Sequence, residues 1–333
     1  MAIARGKRPL LTVVVPVYNE EDCLSEMYCR LKEVLTPVFP EDFELVFVND
    51  GSRDASGAIL QELGQRDPAV RCFHFTRNFG HEAALTCGLE QAEGKAVVII
   101  DCDLQDPPEL IPKMMDQWKS GHAIVYARRK RRDGESALTR FTSYLFYRVF
   151  RTLTRIEMPV DTGDFRLMDR AVVDAFLRLK EKNRYVRGMI SWTGFKHSAI
   201  DYDRPARAGG ESKYHFFNRL RLAFDAICGM STIPLRWITL IGFSMMAISF
   251  SLGTAIIIHK LFFGLKISGY ALLGSGVFFN SGLTLLSLGI MGEYVGRIYT
   301  EVQNRPQFVL ADEPLPEFSR PPLEEIHGAP INL

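Results

Sequence analysis

The sequence predicts an α/β fold: a domain with a mostly parallel sheet, followed by interfacial helices and two transmembrane helices. Short apolar runs alternate with helical patterns from residue 10 to about residue 130, which is typical of strands joined by right-handed crossovers. Polar clusters follow four of the apolar runs, where sheets of this class bind their ligands. Two charge-free apolar segments, residues 237–258 and 270–290, reach the roughly 20 residues that a membrane-spanning helix needs.

The elements of the first domain follow one another in a regular order. Apolar runs, most of them rich in β-branched residues, predict strands over residues 10–15, 43–48, 70–75, 97–100 and 123–126. Helical patterns separate the first four of these strands, over residues 20–38, 54–65 and 82–92. Pro16 is expected to end the first strand. The sequence has no Gly-x-Gly-x-x-Gly after that strand and no Walker A motif, which argues against a glycine-rich phosphate cradle.

The segment Asp101-Cys102-Asp103 closes the fourth predicted strand and is the most informative part of the sequence. Two carboxylates two residues apart at the end of a strand project to the same side. Such a pair repels itself unless a positive charge lies between the two groups, and an oxygen-bound divalent cation that bridges a diphosphate fits this need. A solvated acidic turn before Pro107-Pro108 is the alternative.

Composition and charge distribution indicate a membrane protein rather than a nucleic-acid-binding one. The formal net charge is +1, and the six cysteines are scattered without a Cys-x-x-Cys pair, which favours reduced thiols in the cytosol. More basic residues flank the two apolar segments than lie between them, so both chain termini are expected in the cytoplasm. Residues 214–230 have the pattern of an interfacial helix. The alternatives are buried core helices for the spans and an ordinary packed helix for residues 214–230.

Five motifs in combination resemble the polyisoprenyl-phosphate glycosyltransferases of glycosyltransferase family 2. They are Val15-Pro16-Val17-Tyr18-Asn19-Glu20, Asn49-Asp50-Gly51-Ser52, Arg77-Asn78-Phe79-Gly80, the Asp101 to Pro108 segment and Gly210-Glu211-Ser212-Lys213. The resemblance extends from Thr12 to about Arg305. It implies a cytosolic GT-A type (Rossmann-like) nucleotide-sugar domain over residues 1–213, an interfacial region over 214–232, a membrane domain over 233–298 and a cytosolic tail over 299–333.

The resemblance also implies roles for individual residues. Nucleotide binding is expected from Pro16, Tyr18, Glu20, Asp50, Asp101 and Gln105. Mg²⁺ or Mn²⁺ is expected at Asp101, Asp103 and Gln105, and Asp103 is counted with the catalytic residues. The acceptor phosphate is expected to bind Arg128, Arg140, Arg207, Ser212 and Lys213. Asp161 or Asp164 is the candidate that orients or activates the acceptor, with Asp164 preferred.

Two groups of arginines also have structural interpretations. The basic run over residues 128–132 is also typical of a solvated patch attracted to anionic lipid. Arg166 is a potential structural partner of Asp161 or Asp164.

The implied reaction is inverting transfer of a hexose from a nucleotide sugar to polyprenyl phosphate, for cell-envelope glycans such as lipopolysaccharide. UDP-glucose is the first choice of donor, followed by GDP-mannose, UDP-N-acetylhexosamine and UDP-4-deoxy-4-formamido-arabinose; undecaprenyl phosphate is the expected acceptor. The expected location is the bacterial inner membrane. Closely spaced glycines, such as Gly292 and Gly296, suggest a homo-oligomer, and a tetramer would fit the resemblance.

Two other classes of function are weighed against this reaction. A processive polysaccharide synthase would carry Gln-x-x-Arg-Trp, but Ile233 stands at the Gln position before Arg236-Trp237. A non-catalytic membrane scaffold would not be expected to keep both Asp103 and Lys213. The sequence therefore favours the polyprenyl-phosphate glycosyltransferase.

Overall fold

A computed structural model describes residues 8–129, 162–182, 184–202, 231–263 and 270–311. The chain divides into two units. The first comprises Met1–Ser143, Ile156–Glu211 and Pro306–Leu333, and the second comprises Tyr144–Arg155 and Ser212–Arg305. The first unit contains the sheet and its helices, and the second contains two long helices.

The described part of the first unit is built on one eight-stranded sheet with the order β7-β5-β6-β4-β1-β2-β3-β8. The strands are β1 (Leu11–Val17), β2 (Phe43–Asn49), β3 (Val70–Phe75), β4 (Ala96–Ile99), β5 (Ile124–Arg129), β6 (Thr162–Asp169), β7 (His197–Tyr202) and β8 (Leu310–Ala311). β1 pairs in parallel with β2 and β4, β2 with β3, and β5 with β7. The α/β fold with a mostly parallel sheet is thus confirmed.

Helices of the first unit connect the strands and cover the sheet. They are α1 (Glu21–Leu35), α2 (Ser56–Arg66), α3 (His81–Gln91), α4 (Ile111–Lys119), α5 (Arg170–Leu177) and α6 (Val186–Trp192), with a short 3₁₀ turn at Pro108–Leu110. Every residue of β1, β2 and β4 is buried, as expected for parallel strands covered on both faces. Helix α3 lies close to β1 at Gly88, where a Cβ atom would come within 2.2 Å of Val14.

The structure differs from the sequence prediction at Pro16, which does not end the first strand. Pairing of β1 with β2 continues to Val17, whereas pairing with β4 stops at Val14. The Val14 carbonyl accepts from Ile100 on the β4 side, and Pro16 faces the same side two residues later. Pro16 has no N–H to donate on that side, so pairing with β4 ends before it, whereas pairing with β2 does not need that donor.

The structure also shows strands that the sequence did not predict. β6 inserts between β4 and β5 and is antiparallel to both, and β8 pairs antiparallel with β3 at the opposite edge. The segment just after Pro306, assigned from the sequence to a cytosolic tail, thus contributes an edge strand to the sheet.

The second unit contains α7 (Ile233–Phe263) and α8 (Tyr270–Gln303). Within the described part of the chain, one segment, Leu235–Ile256 in α7, is long and apolar enough to cross a membrane. The second span predicted from the sequence, residues 270–290, is helical and lies in α8, but its membrane role stays a prediction. The predicted interfacial helix over residues 214–230 lies outside the described residues.

Candidate active site

The loops that follow β1 and β2 are joined to each other by side-chain hydrogen bonds. Asn19 adopts a positive φ of 54°, and its side-chain oxygen accepts from the Arg53 backbone N–H at 2.8 Å. The Asn19 N–H donates to Ser52 Oγ at 3.0 Å. The three nucleotide-binding candidates of the first motif lie here: Pro16 in β1, Tyr18 exposed beside it, and Glu20 just before α1.

Asp50 fixes the loop that follows β3. Its buried carboxylate accepts from the backbone N–H groups of Phe79 at 2.6 Å and Gly80 at 3.0 Å. Burial raises the pKa of Asp50, and the two N–H groups oppose that rise. The neighbouring Gly51 has a φ of +65°, and a Cβ there would come within 2.4 Å of the Arg77 carbonyl carbon. Asp50 therefore lies just after β2, with its oxygens engaged by the loop over residues 77–80.

The predicted metal ligands lie in the loop between β4 and the 3₁₀ turn. Asp103 Oδ1 accepts from the Gln105 backbone N–H at 3.1 Å, and Leu104 between them has a φ of 59°. The Gln105 side chain is buried, whereas Asp101 and Asp103 are half-buried. Asp101 Oδ1 is buried without a hydrogen-bond partner. An orphaned carboxylate oxygen next to a second carboxylate fits an oxygen-preferring divalent cation.

Asp101 also faces two residues from other elements. His81 Nε2, at the start of α3, lies 3.8 Å from Asp101 Oδ1 and 3.4 Å from Asp164 Oδ2 in β6. Burial favours the neutral imidazole, but the hydrogen bond to Asp164 and the charges of both carboxylates raise the pKa of His81 to about 9. Burial and the negative charge of Asp164 raise the pKa of Asp101. A proton on His81 therefore offsets the charge of two facing carboxylates.

Asp164 is held by arginines from two directions. Arg187 in α6 donates through Nε to Oδ1 at 2.7 Å and through Nη2 to Oδ2 at 2.5 Å. Arg166, buried in the same strand as Asp164, lies 3.4 Å from Oδ1 and bonds the Asp164 and Gly163 carbonyls. Burial alone would raise the pKa of Asp164, but the guanidinium of Arg187 and its neighbours hold it well below the usual range. Arg166 is thus a structural partner of Asp164, as one sequence alternative held.

His81, Asp101 and Asp164 form a second arrangement that could hold a metal ion, since one ligand atom from each lies within 4.8 Å of the others. Asp164 already accepts a two-bond contact from Arg187. A cation bound there would have to share Asp164 with that guanidinium. The orphaned Asp101 oxygen is the better-prepared ligand and is common to both arrangements.

Asp106 lies at the far end of the loop between β4 and the 3₁₀ turn and is hydrogen-bonded in the interior. Asp106 is fully buried and accepts a short hydrogen bond from Tyr202 Oη in β7. Arg129 donates to Tyr202 Oη at 3.2 Å and lies 3.8 Å from Asp106. Gly163 leaves room for this arginine, whose Nη2 lies 2.8 Å from the position of a Cβ there. Arg129, for which a solvated basic patch was one alternative from the sequence, is therefore packed inward.

The predicted phosphate-binding residues are only partly described. Arg128 in β5 is half-exposed and forms a bidentate ion pair with Asp201, with bonds of 2.6 Å and 3.1 Å. The other four phosphate-binding candidates lie outside the described residues; they are Arg140, Arg207, Ser212 and Lys213. The catalytic candidate Asp161 lies outside them as well.

Sequence reasoning missed His81 and Arg187 as site residues. His81 follows the Arg77-Asn78-Phe79-Gly80 motif directly, and that position was a usable signal. Arg187 comes 23 residues after Asp164 at the start of a short helix, and its sequence context carries no comparable signal.

Comparisons with known proteins identify the family of the chain. The family model described as Glycosyl transferase family 2 matches residues 12–177. The glycosyltransferase YkcC of Bacillus subtilis, described as uncharacterized, is 47% identical over 90% of this chain and 92% of its own length. The glycosyltransferase sll0501 of Synechocystis, described likewise, is 40% identical over 91% of this chain and 95% of its own length. A prophage-derived bactoprenol glucosyl transferase of Shigella flexneri is 40% identical over 90% of this chain and 97% of its own length.

These matches extend over nearly the whole chain, so they include both the sheet and the two long helices. The mixed, mostly parallel sheet with carboxylates at its edge agrees with the GT-A type fold predicted from the sequence. By sequence and by architecture, the chain therefore belongs to glycosyltransferase family 2 and is a transferase.

Proposed function

We propose that the protein transfers glucose from UDP-glucose to undecaprenyl phosphate, with inversion at the anomeric carbon. The proposal is carried by the identity of about 40% with relatives named bactoprenol glucosyl transferase, over 90% of this chain. The carboxylates at the sheet edge supply the chemistry that such a transfer needs. A retaining reaction through a covalent intermediate would need a free nucleophilic carboxylate, and Asp164 is bound by Arg187 on both oxygens.

A divalent cation, Mg²⁺ or Mn²⁺, belongs to this proposal. Asp101, with its orphaned oxygen, and Asp103 would hold it, and Gln105 lies in the same loop. When bound, the ion supplies neutralisation of the charge on the departing nucleoside diphosphate. The hydrogen bond between Tyr202 and Asp106 supports the same loop without the ion.

Asp164 is proposed to orient the acceptor rather than to act as a strong base. Arg187 keeps the carboxylate ionised and fixed, and His81 lies 3.4 Å from it. A phosphate monoester is largely dianionic near pH 7 because its second pKa is about 6, so its oxygen is nucleophilic without deprotonation. Holding that oxygen near the anomeric carbon accounts for much of the rate gain expected from such a site.

The phosphate of the acceptor is proposed to bind Arg128, Arg140, Arg207, Ser212 and Lys213. Arg128 is paired with Asp201, so a phosphate that binds Arg128 competes with this carboxylate. Bidentate guanidinium contacts suit phosphate geometry.

Two membrane spans are proposed, near residues 237–258 and 270–290, with the catalytic domain and both termini in the cytoplasm of a bacterial cell. The apolar segment Leu235–Ile256 in α7 supports the first span, and the length of α8 is compatible with a second. A homo-oligomer, such as a tetramer, is proposed on the small residues of α8, which permit close packing of helices.

The test is transfer of radiolabelled sugar from a panel of nucleotide sugars to undecaprenyl phosphate by the purified protein in detergent. We expect a solvent-extractable, Mg²⁺- or Mn²⁺-dependent product from UDP-glucose that is lost with EDTA and in Asp103→Ala. The matched control is Asp116→Ala, which removes an exposed carboxylate from α4. A lipid-linked product from a different donor would replace glucose in the proposal, and no product from any donor would refute it.

A further inference from the structure

The segment Pro306–Ala311 returns to the first unit after α8 and packs against the end of β3. Its strand β8 pairs with β3, with Ala311 opposite His74 and Leu310 opposite Phe75. The Thr76 backbone N–H donates to the Val309 carbonyl at 3.0 Å. Gln307 Nε2 donates to the Glu181 carbonyl at 2.8 Å. The segment is thus anchored at three points along its length.

Three aromatic rings connect this segment to the loop over residues 77–80. The Phe308 ring stacks on Phe75, with centroids 4.9 Å apart and planes 10° apart. Phe75 in turn meets the edge of Phe79 at 5.7 Å and 89°. Arg77 lies over the Phe79 ring, 4.0 Å from its centroid. The phenylalanine at the centre of the loop is therefore held between Arg77 and a ring that Phe308 supports.

The backbone at Phe79 links this loop to Asp50 through hydrogen bonds. Its N–H and that of Gly80 donate to the buried Asp50 carboxylate. His81, which faces Asp101 and Asp164, follows directly as the first residue of α3. A shift of the Phe79 ring therefore disturbs the Asp50 contact and the start of α3 together.

We propose that Phe308 is a positioning residue for nucleotide binding, which acts through Phe75 and Phe79 on the loop over residues 77–80. This inference rests on the proposed function, because Asp50 and its loop are assigned to the nucleotide there. Aromatic pairs contribute beyond their buried area, and the loss of the Phe308–Phe75 stack removes one side of the support for this loop. The segment Pro306–Ala311, which follows the second long helix, thus supports the loop of the proposed nucleotide site.

The test compares Phe308→Ala with Val309→Ala in the full-length protein in detergent. Val309 is a neighbour with an exposed side chain, and its carbonyl bond to Thr76 survives the substitution. The first readout is amide hydrogen exchange over residues 76–82, and the second is the affinity for UDP and GDP. Phe308→Tyr, which keeps the ring, is the rescue variant.

We expect Phe308→Ala to speed exchange over residues 76–82 relative to Val309→Ala, and to weaken binding of the preferred nucleotide about three- to tenfold, the loss expected for one aromatic pair. Phe308→Tyr should restore both, and kcat at saturating donor should change less than KM. Equal exchange in the two alanine variants overturns the inference. A uniform rise over all strands also overturns it, because that result shows general destabilisation.

The exchange experiment separates this inference from the proposed function. A protein that binds neither nucleotide would refute the proposed function and with it a role of Phe308 in nucleotide binding, whereas the exchange comparison would still decide whether Phe308 supports the loop over residues 77–80. Normal transfer with unchanged exchange and affinity in Phe308→Ala would refute the role of Phe308 and leave the proposed function intact.

Discussion

Arg187 determines the state of Asp164, so Arg187→Gln is the substitution with the sharpest expected outcome. The two bonds of the guanidinium, at 2.7 Å and 2.5 Å, engage both carboxylate oxygens. Glutamine removes the charge and the bidentate contact at a similar side-chain length. Among the described residues, Arg166 and His81 would then remain as positive neighbours of Asp164, which faces Asp101. We expect the variant to lose both stability and activity.

The size of the stability loss follows from burial. Breaking a buried ion pair by removing one partner costs about 3–5 kcal/mol, whereas an exposed pair contributes about 0–1 kcal/mol. The Asp164 side chain is 6% exposed, but the Arg187 side chain is 36% exposed and Arg166 stays 3.4 Å away. We therefore expect a loss of about 2 kcal/mol, between these limits. The melting temperature of the first unit should fall by about 4–8 °C.

The activity loss should exceed what unfolding explains. A misplaced group at a reacting centre can reduce the rate about a hundredfold, so we expect kcat to fall by about that factor while donor KM changes little. Arg187→Lys keeps the charge without the two-pronged contact and should lie between wild type and Arg187→Gln. The control is Arg66→Gln, which breaks the exposed pair with Glu62. Wild-type kcat and melting temperature in Arg187→Gln would refute this reasoning.

Three further substitutions test other parts of the first unit. Gly51→Ala, which places a methyl group 2.4 Å from loop backbone at a φ of +65°, should weaken nucleotide binding by at least tenfold, or about 1.4 kcal/mol, as measured by calorimetry; unchanged affinity would contradict it. Tyr202→Phe, which deprives the buried Asp106 of its donor, should lower the free energy of unfolding by about 1.5–3 kcal/mol, as measured by denaturant titration, and a loss below 0.5 kcal/mol would contradict it. Asp67→Asn tests pH dependence: burial would raise the pKa of Asp67, but bonds from Lys32 and others lower it from 3.8. A carboxylate whose pKa is lower in the folded than in the unfolded state stabilises the fold at pH values above the unfolded pKa. The free energy of unfolding of wild type should therefore exceed that of the variant at neutral pH, and the difference should shrink as the pH falls below about 4. A difference that grows in acid would contradict this prediction.

Much of the parallel half of the sheet could be predicted because its strands are continuous apolar runs. β1, β2 and β4 are buried along their whole lengths, and such runs stand out in a sequence. β6 is buried almost as completely, yet it contains Thr162, Asp164 and Arg166. Asp164 and Arg166 bond each other, and Asp164 also bonds Arg187; this mutual pairing is invisible in a linear pattern. The strand that carries Asp164 was therefore missed, although Asp164 itself was chosen.

β8 was missed for a different reason. It has only two paired residues, Leu310 and Ala311, and lies next to a stretch rich in proline and glutamate. Its stability comes from contacts with residues more than 200 positions away, such as the Phe308–Phe75 stack. No local propensity encodes such pairing, because the partner strand supplies the hydrogen-bonding edge.

The two facing carboxylates show why residue type alone does not assign roles at this sheet edge. Asp101 keeps one buried oxygen without a hydrogen bond, whereas both oxygens of Asp164 accept from Arg187. Their pKa values accordingly move apart, with burial and the neighbouring carboxylate raising that of Asp101, and the guanidiniums overcoming burial to lower that of Asp164. Two carboxylates whose environments move their pKa values apart can take different roles in one site. Asp101 therefore keeps an oxygen for the proposed cation, whereas a cation at Asp164 would have to share that carboxylate with Arg187. The environment of each carboxylate, contributed by β6, α3 and α6, thus distinguishes two like groups, as the roles proposed for Asp101 at the cation and for Asp164 at the acceptor require.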